Sequence, residues 1–214
     1  MTPRSRPHVV VTAGPTREHI DPVRFLSNES SGRMGFAIAE QAVRAGCRVT
    51  LIAGPVELPT PKGVRRIDVV SAREMLAALR KAFSGADILF MAAAVADYRP
   101  RRRLTGKWKK SEQGGGDAVL ELVENPDLLA TVARSKGERL VVGFALETSR
   151  GEERALAKLK RKNADLIVLN DASALNAGRS SVVILGPEGV VGRVKNRPKS
   201  AVARTLVNLA LDRA

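Results

Sequence analysis

Apolar positions along the chain follow two rhythms. Short, nearly unbroken runs rich in β-branched residues alternate with longer stretches in which apolar residues return every three or four positions. The runs predict strands over His8–Ala13, Arg48–Ala53, Arg66–Val70, Asp87–Ala93, Leu140–Phe144 and Asp165–Leu169. The longer stretches predict helices over Met34–Ala45, from Ser71 to Phe83, over Glu152–Lys162 and over Lys199–Leu211. Gly46 is placed to stop the first helix, and Ser71 with Glu74 three residues on has the spacing of a capping box. Val182–Leu185 and Val190–Val194, joined by Gly186-Pro187-Glu188-Gly189, read as a late hairpin. Strands apolar throughout must be covered on both faces. The order therefore predicts an α/β fold, a mainly parallel sheet of six or so strands with helices on both faces.

Two connections break the rhythm. Pro15 to Arg33 and Val95 to Gly116 are far longer than the usual strand-to-helix loop of about two to six residues. Both follow strand C-termini, where doubly wound sheets bind ligands. The first ends in Ser30-Ser31-Gly32-Arg33-Met34-Gly35 and opens a helix. Small residues there let backbone N–H groups approach an anion, although a simple capped helix has the same pattern. The second contains Arg101, Arg102, Arg103, Lys107, Lys109 and Lys110 and reads as a basic flap. With Asp97 at the same predicted edge, it suits a polyphosphate whose leaving group must be neutralised.

Composition narrows the classes. The 214 residues suit one domain, 1–214, and 44% hydrophobic with 27% charged residues excludes wholesale disorder. No apolar run is long enough for a transmembrane helix and no signal-peptide core follows Met1, so a cytoplasmic protein is expected. Cys47 is the only cysteine, which excludes an intrachain disulfide and a Cys-rich zinc site. It reads as a small buried hydrophobe. His8 and His19 are the only histidines, which leaves little material for imidazole chemistry. The net charge of +14 suits a polyanionic partner. Aromatics at 3% and the absence of a helix-turn-helix or zinc signature count against a nucleic-acid-binding module. A nicotinamide-dependent oxidoreductase is the other alternative. The missing G-x-G-x-x-G and the lack of an acidic residue after Ile52-Ala53-Gly54 count against it.

Three further segments are ambiguous on spacing alone. Asn125-Pro126-Asp127 reads as a turn with Pro126 at the first helical position, or as a helix N-terminus facing a ligand. Phe144, at a predicted strand end, is either core or a base-stacking ring. Lys158 and Lys162 share a helix face that solvent alone would explain.

Taken in order, TAGPTREHIDPVRFLSN-x-SSGRMG, AAAVADYRP, KWKK, NPD, GFALET and RKNADLIVLND closely resemble phosphopantothenoylcysteine synthetase, the ligase of coenzyme A biosynthesis. The likeness runs from about residue 8 to 171. It implies a Rossmann-like domain that uses CTP and Mg²⁺. The carboxylate of 4′-phosphopantothenate is activated as an acyl-cytidylate with release of pyrophosphate, and L-cysteine then displaces CMP. It implies catalytic roles for Asn28, Lys107 and Lys110. Nucleotide contacts are implied for Ala92, Ala93, Asp97, Lys107, Pro126, Asp127, Leu128, Leu129, Phe144, Lys158 and Lys162. Asp97 is expected also to hold the metal. Gly14, Ser30, Ser31 and Gly32 fit an anion site for phosphopantothenate or the nucleotide. Glu29 and Trp108 depart from the family pattern. The resemblance further implies a homodimer, with Val182–Val194 as a candidate interface hairpin. The flavin-dependent decarboxylase often fused in bacterial members is not seen, so no flavin is expected. A separate phosphopantothenoylcysteine decarboxylase remains open as a partner; nucleic acid and membrane are not expected partners.

Overall fold

The computed structural model describes residues 6–109, 117–147, 151–171 and 178–214. Six adjacent parallel strands make up most of an eight-stranded sheet: β1 (His8–Ala13), β4 (Arg48–Ala53), β5 (Val64–Asp68), β6 (Ile88–Met91), β9 (Leu140–Glu147) and β10 (Leu166–Asp171). The hairpin of β11 (Arg179–Gly186) and β12 (Gly189–Pro198) extends it antiparallel, in the order β12-β11-β10-β9-β6-β1-β4-β5. The expected α/β, Rossmann-like architecture is present.

Alternation along the strands explains the two layers. Val9, Val11, Val49, Leu51, Phe90 and Val142 point to one face and pack under α1 (Arg33–Arg44) and α5 (Lys199–Leu211). Val10, Ile52, Leu89, Val141 and Ile167 point to the other, under α2 (Ala72–Phe83), α3 (Leu128–Ala133) and α4 (Gly151–Lys162). Val9, Val10 and Val11 are all fully buried, which is why β1 reads as an unbroken apolar run.

The chain runs from β1 outward to β4 and β5, then crosses back to lay β6 on the opposite side of β1. The strand order therefore reverses between β1 and β6, the position at which open α/β sheets form a ligand crevice. The loops leaving these strands are tied together there. Ala94 N–H donates to Gly14 O at 2.9 Å, Thr16 N–H to Ala94 O at 3.2 Å, and Ala96 N–H to Thr16 Oγ1 at 3.0 Å.

Several expected boundaries move. The third strand is Val64–Asp68 rather than Arg66–Val70, because Ile67 and Asp68 pair with Ile52 and Ala53 and Val69 already turns toward α2. The strand expected over Asp87–Ala93 is Ile88–Met91; beyond Met91 the continuous ladder to β1 and β9 ends, and an isolated bridge joins Ala94 to Pro15. Phe144 lies inside β9 rather than at its end, since pairing with β10 continues to Glu147. Pro126 is not the first helical residue: Asp127 is the N-cap of α3, and its Oδ1 accepts from Ala130 N–H at 2.9 Å.

The two long connections also carry structure that their composition does not signal. The first folds into a small hairpin of β2 (Arg17–His19) and β3 (Phe25–Ser27). The second begins in β7 (Tyr98–Pro100), which pairs with β8 (Leu122–Glu124).

Candidate functional site

Two cavities open at the strand-order reversal. The first, of about 450 Å³, falls in the range of roughly 300–1,000 Å³ usual for small-molecule sites. Its walls include Ala93, Asp97, Pro126, Asp127, Leu128, Leu129, Phe144, Lys158 and Lys162. Four segments far apart in sequence thus meet in one crevice. The second, of about 280 Å³, is lined by Ser30 to Gly35, Ala92 to Val95, Phe144 to Leu146, Asn170, Ser180 and Lys199. Ala93, Val95 and Phe144 border both, so two ligands seated in them would touch.

The first cavity is built on internal bonds. Asn125 Nδ2 donates to Ala96 O at 2.9 Å, and its backbone N–H to Asp97 O at 2.7 Å. These bonds hold the segment before α3 against the segment carrying Asp97. Asp97 itself is exposed, on the cavity wall. Asp127 serves two partners: Oδ1 caps α3, while Oδ2 forms an ion pair with Lys162. Lys158 Nζ donates to Phe144 O at 2.7 Å. The shared helix face of Lys158 and Lys162 therefore turns toward the cavity and not to bulk solvent.

The second cavity is organised by the start of α1. Gly35 lets the helix approach β1: a Cβ there would lie 2.5 Å from Ala13 Cβ. Gly32, the N-cap, has φ of +72°, and no side chain caps the helix. The first turn carries no acidic residue, so the positive end of the helix dipole is uncompensated where it borders the cavity. Arg33 and Lys199 add cationic side chains. Burial, and then repulsion from the Arg33 guanidinium, pulls the Lys199 ammonium below its usual range. An anion would relieve that tension. Asn170 Oδ1 is buried without a hydrogen-bond partner among the described residues. Glu29 also lies on this wall.

The remaining candidates sit close by. Asn28 is exposed and donates from Nδ2 to Ala94 O at 3.4 Å and Val95 O at 3.1 Å, beside the shared wall. Gly14 is buried beneath Gly32 and lines neither cavity. Ala92 borders the second cavity rather than the first. Lys107 is exposed and outside both walls, on the flap that arches from β7. Lys110 lies outside the described residues.

Sequence reading assigned no role to Asn170 or Lys199. Asn125, within the singled-out Asn125-Pro126-Asp127, carried a signal. Asn170 and Lys199 did not, because only the strand and helix geometry brings β10 and the start of α5 to this crevice.

Neither cavity is lined by a histidine or cysteine. The arrangement offers backbone donors, cations, exposed carboxylates (Glu29, Asp97, Glu124 and Asp127) and an aromatic ring. Those groups can bind and orient anions; they offer no imidazole base and no thiol for covalent chemistry. No described helix is long and apolar enough to cross a membrane.

Comparison with known proteins agrees with this geometry. The model for the DNA/pantothenate metabolism flavoprotein C-terminal domain matches residues 5–213. The coenzyme A biosynthesis bifunctional protein CoaBC of Escherichia coli K12 is 50% identical over 175 residues, 81% of this chain and 43% of that protein. CoaBC of Bacillus subtilis is 49% identical over 172 residues, 80% of this chain and 42% of that protein. The chain thus spans less than half the length of these two relatives. A crystal structure of the C-terminal domain of CoaBC is 39% identical, with a TM-score of 0.81, covering 95% of this chain and 93% of that one. A Cab2 mutant in complex with phosphopantothenate-cysteine shares the fold, with a TM-score of 0.82 at 19% identity, covering 97% of this chain and 86% of that one. A family match over nearly the whole chain, on a fold whose crevice gathers the residues the motifs single out, places this protein in the family of the DNA/pantothenate metabolism flavoprotein C-terminal domain.

Proposed function

We propose that the chain is a CTP-dependent phosphopantothenate–cysteine ligase, acting as a single domain over 1–214 in coenzyme A biosynthesis. The observation that carries this reading is the shared wall. A nucleotide-sized cavity and an anion-binding cavity meet at Ala93, Val95 and Phe144, as two reactants must when one attacks the other.

In this reading the first cavity takes the nucleotide. Phe144 stacks on the base, backbone groups of Pro126 to Leu129 contact it, and Lys158 and Lys162 turn from their protein partners to ligand oxygens. The second cavity, with Ser30, Ser31 and Gly32 over the open helix end, takes an anionic group of phosphopantothenate or of the nucleotide. A carboxylate oxygen of phosphopantothenate attacks the α-phosphorus, an O–P bond forms, and pyrophosphate leaves. The α-amine of cysteine then attacks the acyl carbon, the C–O bond to CMP breaks, and the amine proton is lost. Neither step requires a nucleophile from the protein. Lys107 and Lys110 neutralise the departing pyrophosphate, and Asn28 donates to the acyl intermediate. Asp97, with Glu124 and Asp127 one of three exposed carboxylates on the first cavity's wall, would suit a Mg²⁺ held chiefly by nucleotide phosphates, where the ion would offset phosphate charge. Among the described residues no three His, Cys, Asp or Glu side chains cluster for a metal.

A homodimer belongs to the same reading, with the late hairpin at its interface. β12 is the outer strand of the sheet, and Val190 and Val191 near its turn are partly exposed. The deciding experiment measures pyrophosphate release with each nucleoside triphosphate, with and without phosphopantothenate and cysteine. Release that requires CTP and phosphopantothenate, followed by CMP only when cysteine is added, is expected. Release with no dependence on phosphopantothenate would refute the reading.

A further inference from the structure

Asp21 is fully buried although its neighbours Pro22 to Phe25 are exposed. Its two oxygens do different work. Oδ1 accepts from the N–H groups of Val23 and Arg24, each at 2.7 Å, and builds the turn between β2 and β3. Oδ2 accepts from Arg24 Nε at 2.9 Å and from Trp108 N–H at 3.0 Å, a residue 87 positions along the chain. Arg24 Nη2 in turn donates to Trp108 O, so both backbone polar groups of Trp108 are held by side chains of the first connection. Leu104 N–H adds a bond to Ile20 O at 2.8 Å. The hairpin turn would need only Oδ1; the second oxygen is spent on the flap.

The held segment would otherwise spread. Arg101, Arg102, Arg103, Lys107 and Lys109 lie within nine residues and repel one another. Burial works to raise the Asp21 pKa, but the N–H groups of Trp108, Val23 and Arg24 and the Arg24 guanidinium outweigh it and hold the carboxyl well below the usual range. Asp21 therefore stays an acceptor throughout neutral pH.

We propose that Asp21 is a positioning residue: through Trp108 it fixes where Lys107 stands relative to the nucleotide cavity. The inference rests on the ligase reading for what Lys107 does, but the pin itself can be tested without it. Asp21→Asn keeps Oδ1 for the turn and places an amide group where Trp108 N–H and Arg24 need an acceptor. Trp108→Pro deletes the gripped amide and leaves Asp21 in place.

Limited trypsin digestion of the whole chain reads the pin directly. Both variants should be cut faster by at least about tenfold after Arg101, Arg102 or Arg103, sites that neither substitution alters, with cleavage after Arg80 and Lys81 in α2 unchanged. Unaltered protection of these flap sites in both variants, or equal acceleration at α2, overturns the proposal. Kinetics read the consequence. Asp21→Asn should lower kcat for pyrophosphate release roughly 100-fold, the cost of a misplaced group, with little change in KM for phosphopantothenate. Combined with Lys107→Gln it should be no slower than Lys107→Gln alone. Multiplying effects would overturn a role through Lys107. A wild-type chain inactive with CTP would refute the ligase reading while the digestion still decides the pin.

Discussion

Helices α1 and α2 are each twelve residues long, they pack on opposite faces of the same sheet, and their N-termini are finished in opposite ways. At α2, Ser71 Oγ accepts from Glu74 N–H at 3.3 Å, Glu18 Oε1 from Ala72 N–H at 2.8 Å, and Glu74 Oε2 from Val70 N–H at 2.8 Å. Three side chains close the positive end, two of them acidic. At α1 a left-handed glycine replaces the cap, no acid occupies the first turn, and the nearest cations are Arg33 and Lys199. One helix start is optimised for stability. The other has glycine in place of a side-chain cap, at a cost of about a few tenths of a kcal/mol, and borders the cavity proposed for the anion.

The comparison can be broken most severely at the close approach. Gly35→Ala drives a methyl group into Ala13 and tilts α1 off β1. Overpacking of this kind costs about 1–3 kcal/mol, and the displaced helix start should lower pyrophosphate release by roughly 100-fold. Denaturant titration and the release assay measure the two effects, and a wild-type rate would show that the helix position is immaterial.

Making α1 resemble α2 is the next test. Ser31→Asp puts a carboxylate beside the open helix end. Melting should occur at a higher temperature, for a gain of roughly 0.3–1 kcal/mol, while affinity for the anionic substrate falls about tenfold. A stability gain without loss of affinity would mean that the open end binds nothing.

Lys199→Met sharpens the role of the cations with a smaller effect. The anion should bind a few-fold more weakly, because one of several positive groups is lost, roughly 0.5–1 kcal/mol. The ligand-free protein should become slightly more stable. The sign follows from the lowered pKa: the folded state resists the ammonium, so the penalty is fully present below the folded pKa and fades as pH rises through the unfolded one. The stability difference between variant and wild type should therefore be largest at neutral pH and vanish in alkali. Melting curves across pH check it.

The smallest functional effect belongs to the closed helix. Ser71→Ala removes the α2 cap and should cost about 1 kcal/mol of stability while leaving turnover unchanged. Glu18 and Glu74 remain to hold the neighbouring N–H groups.

Pattern and composition reached the frame of the fold because its causes are local. Val9, Val10 and Val11 announce a doubly covered strand by being apolar on both faces. Ser71 and Glu74 announce a helix start three residues apart. The strands β2, β3, β7 and β8 gave no such signal. Each is three residues long, and their hydrophobic residues Phe25, Tyr98 and Leu122 are exposed. They are extended because they pair with one another and pack at the crevice, a tertiary cause. The candidate site divides the same way. Ser30-Ser31-Gly32 and the basic flap stand out as runs of special composition, and motif likeness drew in Asp97, Phe144, Lys158 and Lys162. Asn170, Lys199 and the double duty of Asp21 were silent, since an asparagine, a lysine or an aspartate in isolation is ordinary.

By itself, then, the amino-acid order determined the strands of the main sheet and most of its helices, that the sheet is covered on two sides, and that the net charge suits anionic partners. Only the folded arrangement decided that two cavities share a wall, that Lys162 faces Asp127 instead of water, and that a buried carboxylate reaches 87 residues ahead to grip the flap. The reason is range. Periodicity and capping act over one or two turns of chain, whereas a crevice exists only where strand order reverses and brings distant loops together.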